Sequence, residues 1–325
     1  MTDIIEKISL GGFLQKIHIR TDDESKPVLL FLHGGPGVCN RHTIMQDHAD
    51  LLDTFTIATW DQRGSGGSYK GLKKETLTIE RLTDDAAELV EWLCRRFGKD
   101  KIFVIGGSWG SELGTWLSKR YPEHIAAFVG FGQVVDITLN EQLSWEFSLS
   151  EAEKAGDAKA VATLKEVGPP VKGCYKGGYY DGMMKQRKIM MKYGGYSQNA
   201  KKRSYFDALV KPMLLSGEYS FEDLVGIVKG HKVVLETMWP EIGETNFNET
   251  CTQFDVPVYI LDGRLDMNTP SSLVQDWFDS IKAPDKELVW FENSGHNPMG
   301  DEGEKFKAVL REKLLKVKEK ENCRI

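Results

Sequence analysis

Four short, continuously apolar runs constrain this chain more than any other feature: VLLFLH (28–33), TIATW (56–60), KIFVIG (101–106) and VPVYIL (256–261). A strand that is apolar at consecutive positions leaves no face for water, so it belongs in a sheet covered on both sides. Between the second and third runs, Ile79, Leu82, Ala86, Leu89, Val90, Leu93 and Phe97 recur at helical spacing, and Leu113, Trp116 and Leu117 do so after the third. Strands alternating with helices on this scale predict βαβ units, hence an α/β fold with a mostly parallel, doubly wound sheet.

Two further strands are expected, FLQKIHIR (13–20), which alternates apolar and polar residues as a half-exposed strand does, and ELVWFE (287–292). A closing helix is expected from Glu302 onward, with Phe306, Val309, Leu310, Leu314 and Val317 on one face. The alternation stops near Asp136 and resumes near Asp255. The intervening segment has helical patterns at 140–156 and 158–168 and a Gly/Tyr/Met-rich stretch at 174–197, without a convincing buried strand. This predicts a core formed by residues 1–136 and 252–325, carrying an inserted helical cap over 137–251. The tyrosines and methionines of the cap are expected mainly as its own core, with a share facing substrate.

GGSWG (106–110) falls where the third apolar run ends and a helical pattern begins. A nucleophile elbow has this form, a strand feeding a tight turn into a helix with glycines around the serine. Ser108 is therefore the candidate nucleophile; the competing reading is a turn serine that caps the helix. A serine hydroxyl needs a base, and in this fold the acid and the histidine follow the serine along the chain. Of the histidines beyond Ser108, His124 closes the following helix, His231 lies in the cap, and His296 sits in the glycine-bearing loop after the last strand. His296 is the expected base. For the orienting acid, YILDGRLDMNTP offers Asp262 at the strand end and Asp266 beyond the glycine turn. Asp266 has the reach of a loop residue and is preferred. HGGPG (33–37) supplies a strand-end loop whose Gly35 N–H, with the N–H of Trp109, is expected to form an oxyanion hole. Gly34 is a further candidate for contact with substrate.

HGGPG, DQRGSGGS (61–68), GGSWG, GRLDMNTP and SGHNPM together resemble the α/β-hydrolase fold, and within it the proline iminopeptidase family of serine peptidases. The resemblance covers roughly residues 25–135 and 252–320. It implies a Ser108–Asp266–His296 triad and release of an N-terminal residue, typically proline, from a peptide. It also implies cap glutamates that hold the free amine of the substrate, for which Glu146, Glu218, Glu222, Glu236 and Glu241 are candidates. DQRG is expected to be structural, with Arg63 satisfying buried carboxylate or carbonyl groups. The alternative activities are a carboxylesterase or amidase acting on small apolar acyl groups, and a non-catalytic hydrolase-fold binding protein.

The remaining expectations are exclusions. A net charge of -6 gives no footprint for nucleic acid or anionic lipid, which favours a small molecule or short peptide as partner. The five cysteines, Cys39, Cys94, Cys174, Cys251 and Cys323, are widely spaced and include no CxxC pair, which fits a reducing cytoplasm and neither a disulfide framework nor a metal site. The N-terminus has no basic region ahead of a long apolar run, so neither secretion nor a membrane is expected, and no cofactor is called for.

Overall fold

The computed structural model describes residues 1–199, 207 and 211–322; Cys323 lies outside them. One eight-stranded sheet runs through the molecule: β1 (Thr2–Leu10), β2 (Phe13–Thr21), β3 (Val28–Leu32), β4 (Thr56–Trp60), β5 (Ile102–Gly107), β6 (Ile125–Phe131), β7 (Val258–Gly263) and β8 (Lys286–Phe291). Their order across the sheet is β1-β2-β4-β3-β5-β6-β7-β8. Only β1 and β2 pair antiparallel to their neighbours; from β4 to β8 every pairing is parallel. This is the doubly wound, mostly parallel α/β sheet expected from the sequence.

The four apolar runs become β3, β4, β5 and β7, whose residues are all buried. Successive side chains serve opposite faces, as pleating requires. Ile102 and Val104 join one hydrophobic layer with Leu82, Leu89 and Leu113, while Phe103 and Ile105 join the other with Phe306, Leu310 and Leu314. Two strands escape a reading by apolar runs. β1 has a mixed pattern because it is an edge strand with Ile5 half exposed, and β6 was hidden by its alanines and glycine, being tied to the preceding helix only by a 3-10 turn at Pro122–His124.

The helices are α1 (Ile79–Phe97), α2 (Trp109–Arg120), α3 (Ile137–Lys154), α4 (Ala158–Val167), α5 (Asp181–Lys192), α6 (Lys211–Leu215), α7 (Phe221–Ile242), α8 (Phe247–Thr250), α9 (Ser271–Ser280), α10 (Pro298–Asp301) and α11 (Gly303–Asn322). Helix α1 has a Thr78 N-cap, its hydroxyl accepting from the Arg81 amide, and a left-handed Gly98 at its end. The segment between β6 and β7 carries helices α3 to α8, and its two ends are joined by a bridge between Asp136 and Asn246. Tyr175, Met183, Met190 and Met191 are buried. Arg63 of DQRG donates to both oxygens of Asp85, at 2.7 and 3.0 Å, and to the Leu10 carbonyl.

Charged contacts hold this helical segment down. The Arg41 guanidinium reaches Asp61 in the core and Asp223 of α7, each at 2.5 Å, and Lys16 of β2 reaches the same Asp223 at 2.6 Å. Asp223 is almost fully buried, so removing one cation would strand a charge and cost several kcal/mol. At the opposite corner Glu112 of α2, fully buried, accepts from the Thr245 hydroxyl at 2.7 Å beside that bridge, and its second oxygen has no partner among the described residues.

Burial pushes the Glu112 carboxyl up to about 8. A raised folded-state value in an acid means that the unfolded chain sheds the proton first. Stability is then fully present below the ordinary glutamate range and falls as pH rises through about 8. Glu112→Gln, which keeps the acceptor for Thr245, should raise Tm by about 3 °C or more at pH 9 and leave it nearly unchanged at pH 5. Thermal melts across pH read this out; a Tm difference that does not vary with pH would contradict it.

Candidate active site

Ser108 stands between β5 and α2 with φ 57° and ψ −128°, a left-handed conformation that side chains rarely adopt. The turn closes this tightly because α2 sits hard against the sheet: a Cβ on Gly110 would lie 2.1 Å from the Leu32 carbonyl oxygen. Ser108 makes no side-chain cap on α2, which removes the reading of it as a helix-capping serine. Its amide donates to the Phe131 carbonyl at 3.0 Å, and Ser111 Oγ donates to the Ser108 carbonyl at 2.6 Å while accepting from the Val134 amide at 3.0 Å. The elbow is thus fastened to the end of β6.

His296 arrives from the loop after β8 and lies against Gly132, just past the end of β6 to which the elbow is fastened. A Cβ on Gly132 would be 2.7 Å from His296 Nδ1. That nitrogen is 2.8 Å from Asp266 Oδ2 and 3.0 Å from Thr269 Oγ1, and the Thr269 hydroxyl donates to Asp266 Oδ2 at 2.7 Å. Asp266 also accepts the Asn268 and Thr269 amides, at 2.7 and 2.9 Å. A carboxylate so surrounded by donors fixes the proton on Nδ1 and leaves the Nε2 lone pair as the basic site. Asp262, the other candidate acid, is turned away and receives the Gly132 and Gly263 amides. Burial and the neighbouring Asp266 push its carboxyl well up.

The other histidines are placed elsewhere. His124 Nδ1 bonds the Asp100 carbonyl, and the His231 ring packs edge-on against Tyr180 at 5.2 Å. HGGPG reaches the elbow through Gly34, whose Cβ position is 3.1 Å from Ser108 Cβ. His33 and Gln62 stiffen this loop: Gln62 Nε2 donates to the His33 carbonyl, Gln62 Oε1 accepts from the Trp109 indole at 2.9 Å, and His33 Nε2 accepts the Gln62 amide. The Trp109 amide stands at the start of α2, where a helix has no acceptor of its own. No hydrogen bond within the described residues occupies the Gly35 amide.

The glutamates expected to hold a substrate amine have other surroundings. Glu146 is exposed beside Gln142, and Glu236 is exposed beside Lys232. Glu222 faces Lys7 at the surface, Glu218 lies with Arg20, His18 and Gln46, and Glu241 caps α1 through the Ile79 amide. None of these contacts is with Ser108, Asp266 or His296. Instead the segment between β6 and β7 approaches His296 with Asn140, which the sequence reading passed over, and with Gly195 and Tyr196 of the Gly/Tyr/Met-rich stretch, whose tyrosines were expected in part to face substrate. The Tyr196 ring lies 5.3 Å from the His296 ring, the Gly195 carbonyl accepts the Met267 amide at 3.0 Å, and Asn140 Nδ2 donates to the Asn268 carbonyl at 2.8 Å. Asp301 clamps this contact, accepting from the Gln198, Asn199 and Gly295 amides. Beside Asn140, the buried Glu141 accepts from it at 3.0 Å and pairs through the same oxygen with Arg187; Glu141 Oε2 has no partner among the described residues.

The pattern of the α/β-hydrolase fold family matches residues 27–166. Over 94% of its length the chain is 27% identical to a probable aminopeptidase, YbaC, of Bacillus subtilis, covering 95% of that protein. It is 24% identical to a proline iminopeptidase of Clostridioides difficile, with 90% of each chain covered. Among solved structures, the proline iminopeptidase of Mycobacterium smegmatis superposes with a TM-score of 0.67 at 16% identity, covering 97% of this chain and 98% of that one.

The tight seat of His296 gives a direct check. Gly132 has φ +51°, and a methyl group there would meet both Nδ1 and Cε1 of the imidazole. Gly132→Ala should lower kcat/KM by about 100-fold or more by displacing the ring, with a circular dichroism spectrum like that of the parent. A variant of normal activity would show that the ring is not where turnover needs it.

Proposed function

Taking as premise that the chain is a serine hydrolase of the α/β-hydrolase fold with aminopeptidases among its relatives, we propose that it releases N-terminal proline, or another small apolar residue, from short peptides. The observation that carries this reading is the Asp266–His296 couple at 2.8 Å, with His296 packed against Gly132, next to the Phe131 carbonyl that holds the Ser108 amide.

In the proposed cycle Ser108 Oγ attacks the scissile carbonyl while His296 Nε2 takes its proton. The Gly35 and Trp109 amides hold the oxyanion. His296 then gives the proton to the leaving nitrogen, the C–N bond breaks, and water repeats the sequence on the acyl-enzyme. The charge on His296 during each transfer is balanced by Asp266. His296 is only 5% exposed, so the cap opens for substrate to enter. For the free amine, the acid best supported is Glu141, buried, joined to the catalytic loop through Asn140, and with one carboxylate oxygen unspent.

The proposed partner is therefore a short peptide, with neither nucleic acid nor a membrane involved, and the proposed setting is the cytoplasm. Cys39, Cys94, Cys174 and Cys251 are all unpaired, and among the described residues no helix is long and apolar enough to cross a membrane.

Two measurements test the reading. Ser108→Ala should lower kcat on a proline arylamide by about 10⁴-fold or more while Tm is retained; residual activity near the parent level would sink the assignment. Wild-type protein should cleave the free prolyl arylamide and not its N-acetyl form, and Glu141→Gln should raise KM for the former by about tenfold or more. Equal cleavage of acetylated substrate or a short-chain aryl ester would favour the esterase alternative.

A further inference from the structure

The atom of His296 that must take the serine proton is already engaged. Asn268 Nδ2 lies 3.1 Å from His296 Nε2, and Nδ1 is given to Asp266 and Thr269. With the ring proton on Nδ1, Nε2 has a single lone pair, and the Asn268 amide donates into it. Ser108 Oγ makes no hydrogen bond among the described residues, so the serine and its base are not yet joined.

The Asn268 backbone is held on both sides. Its amide donates to Asp266 Oδ1 at 2.7 Å and its carbonyl accepts from Asn140 of the cap at 2.8 Å. With its backbone so held, Asn268 frees Nε2 most simply by turning its side chain. During turnover Nε2 delivers its proton to the leaving nitrogen, so that nitrogen must come within hydrogen-bond distance of Nε2, where Asn268 Nδ2 now lies at 3.1 Å.

From this juxtaposition we infer that Asn268 is a specificity-determining residue for the leaving-group side of the substrate, its carboxamide occupying the leaving amide's place in the free enzyme. When substrate enters, the carboxamide turns aside on its fixed backbone and its N–H donates to the carbonyl of the first residue beyond the scissile bond. A peptide leaving group carries that carbonyl; an arylamine or an aryl alcohol does not. This inference rests on the peptidase reading above and adds the group that senses a true peptide.

The experiment compares wild type, Asn268→Ala and Asn268→Asp on a prolyl-glycinamide dipeptide and a prolyl arylamide, with the rate of inactivation by a fluorophosphonate. Asn268→Ala should lower kcat/KM for the dipeptide by about tenfold while the arylamide rate holds or rises, and should react with the fluorophosphonate at least as fast as wild type. Asn268→Asp keeps the size without an N–H and should lose the same dipeptide preference. An unchanged dipeptide-to-arylamide ratio, or an equal fall in all three rates as a structural lesion would give, overturns the inference. If wild type cleaves no prolyl substrate, the proline reading alone has failed. The ratio is then taken with the acyl group that is cleaved, as its glycinamide and its aryl ester, and decides the inference by the same two outcomes.

Discussion

Double coverage of the central sheet governs the layout of this molecule. With β3, β4, β5 and β7 buried along their whole length and mostly apolar, the groups that can carry chemistry gather where the strands end. Because these strands are parallel, their carboxyl ends lie along one edge. His33 and Gly34 follow β3, Ser108 follows β5, Gly132 follows β6, Asp266 follows β7 and His296 follows β8. Five chain segments far apart in sequence thereby supply one site, and each is joined to the next by short contacts: Gly34 against Ser108, Ser108 to Phe131, Gly132 against His296, and His296 to Asp266.

Strain and packing at this edge depend on each other. Ser108 keeps its left-handed backbone because α2 is pressed onto Leu32 and because Ser111 ties the elbow to the end of β6. Two aspartates near β7 divide the work. Asp262, raised by burial, serves the backbone of the neighbouring turn, and Asp266, among four donors, serves the imidazole. The segment between β6 and β7 is tied down by Asp223 between Lys16 and Arg41 and by the Asp301 contacts, and it meets the loops of Asp266 and His296 at Asn140, Gly195 and Tyr196.

What the sequence disclosed, and what it withheld, follows from the range of the interactions. Ser108, Asp266 and His296 stand in short motifs at strand ends, where local turn geometry dictates the residue types, and they are readable one loop at a time. The choice between Asp262 and Asp266 was also local, a matter of reach past the strand end. Strand β6 was harder to see because IAAFVGF carries small residues where bulky ones would announce a strand, and β1 because an edge strand needs only one covered face. The contacts from the segment between β6 and β7 were legible only as a share of tyrosines facing the site, with no individual residue singled out. Asn140 and Tyr196 meet the loops of Asp266 and His296 only in the folded chain, and nothing in their neighbours' identities signals it. Glutamates chosen from the cap by residue type alone went to the surface or to other partners for the same reason.

The central claim is that a single serine, Ser108, carries the chemistry. The most direct test is to titrate the protein with a fluorophosphonate, follow residual hydrolysis of a proline arylamide, and locate the adduct by peptide mass spectrometry. The account predicts one adduct per chain, on the peptide containing Ser108, with activity falling in proportion to its formation. Full modification with activity intact, or loss of activity through an adduct on another residue, would contradict it.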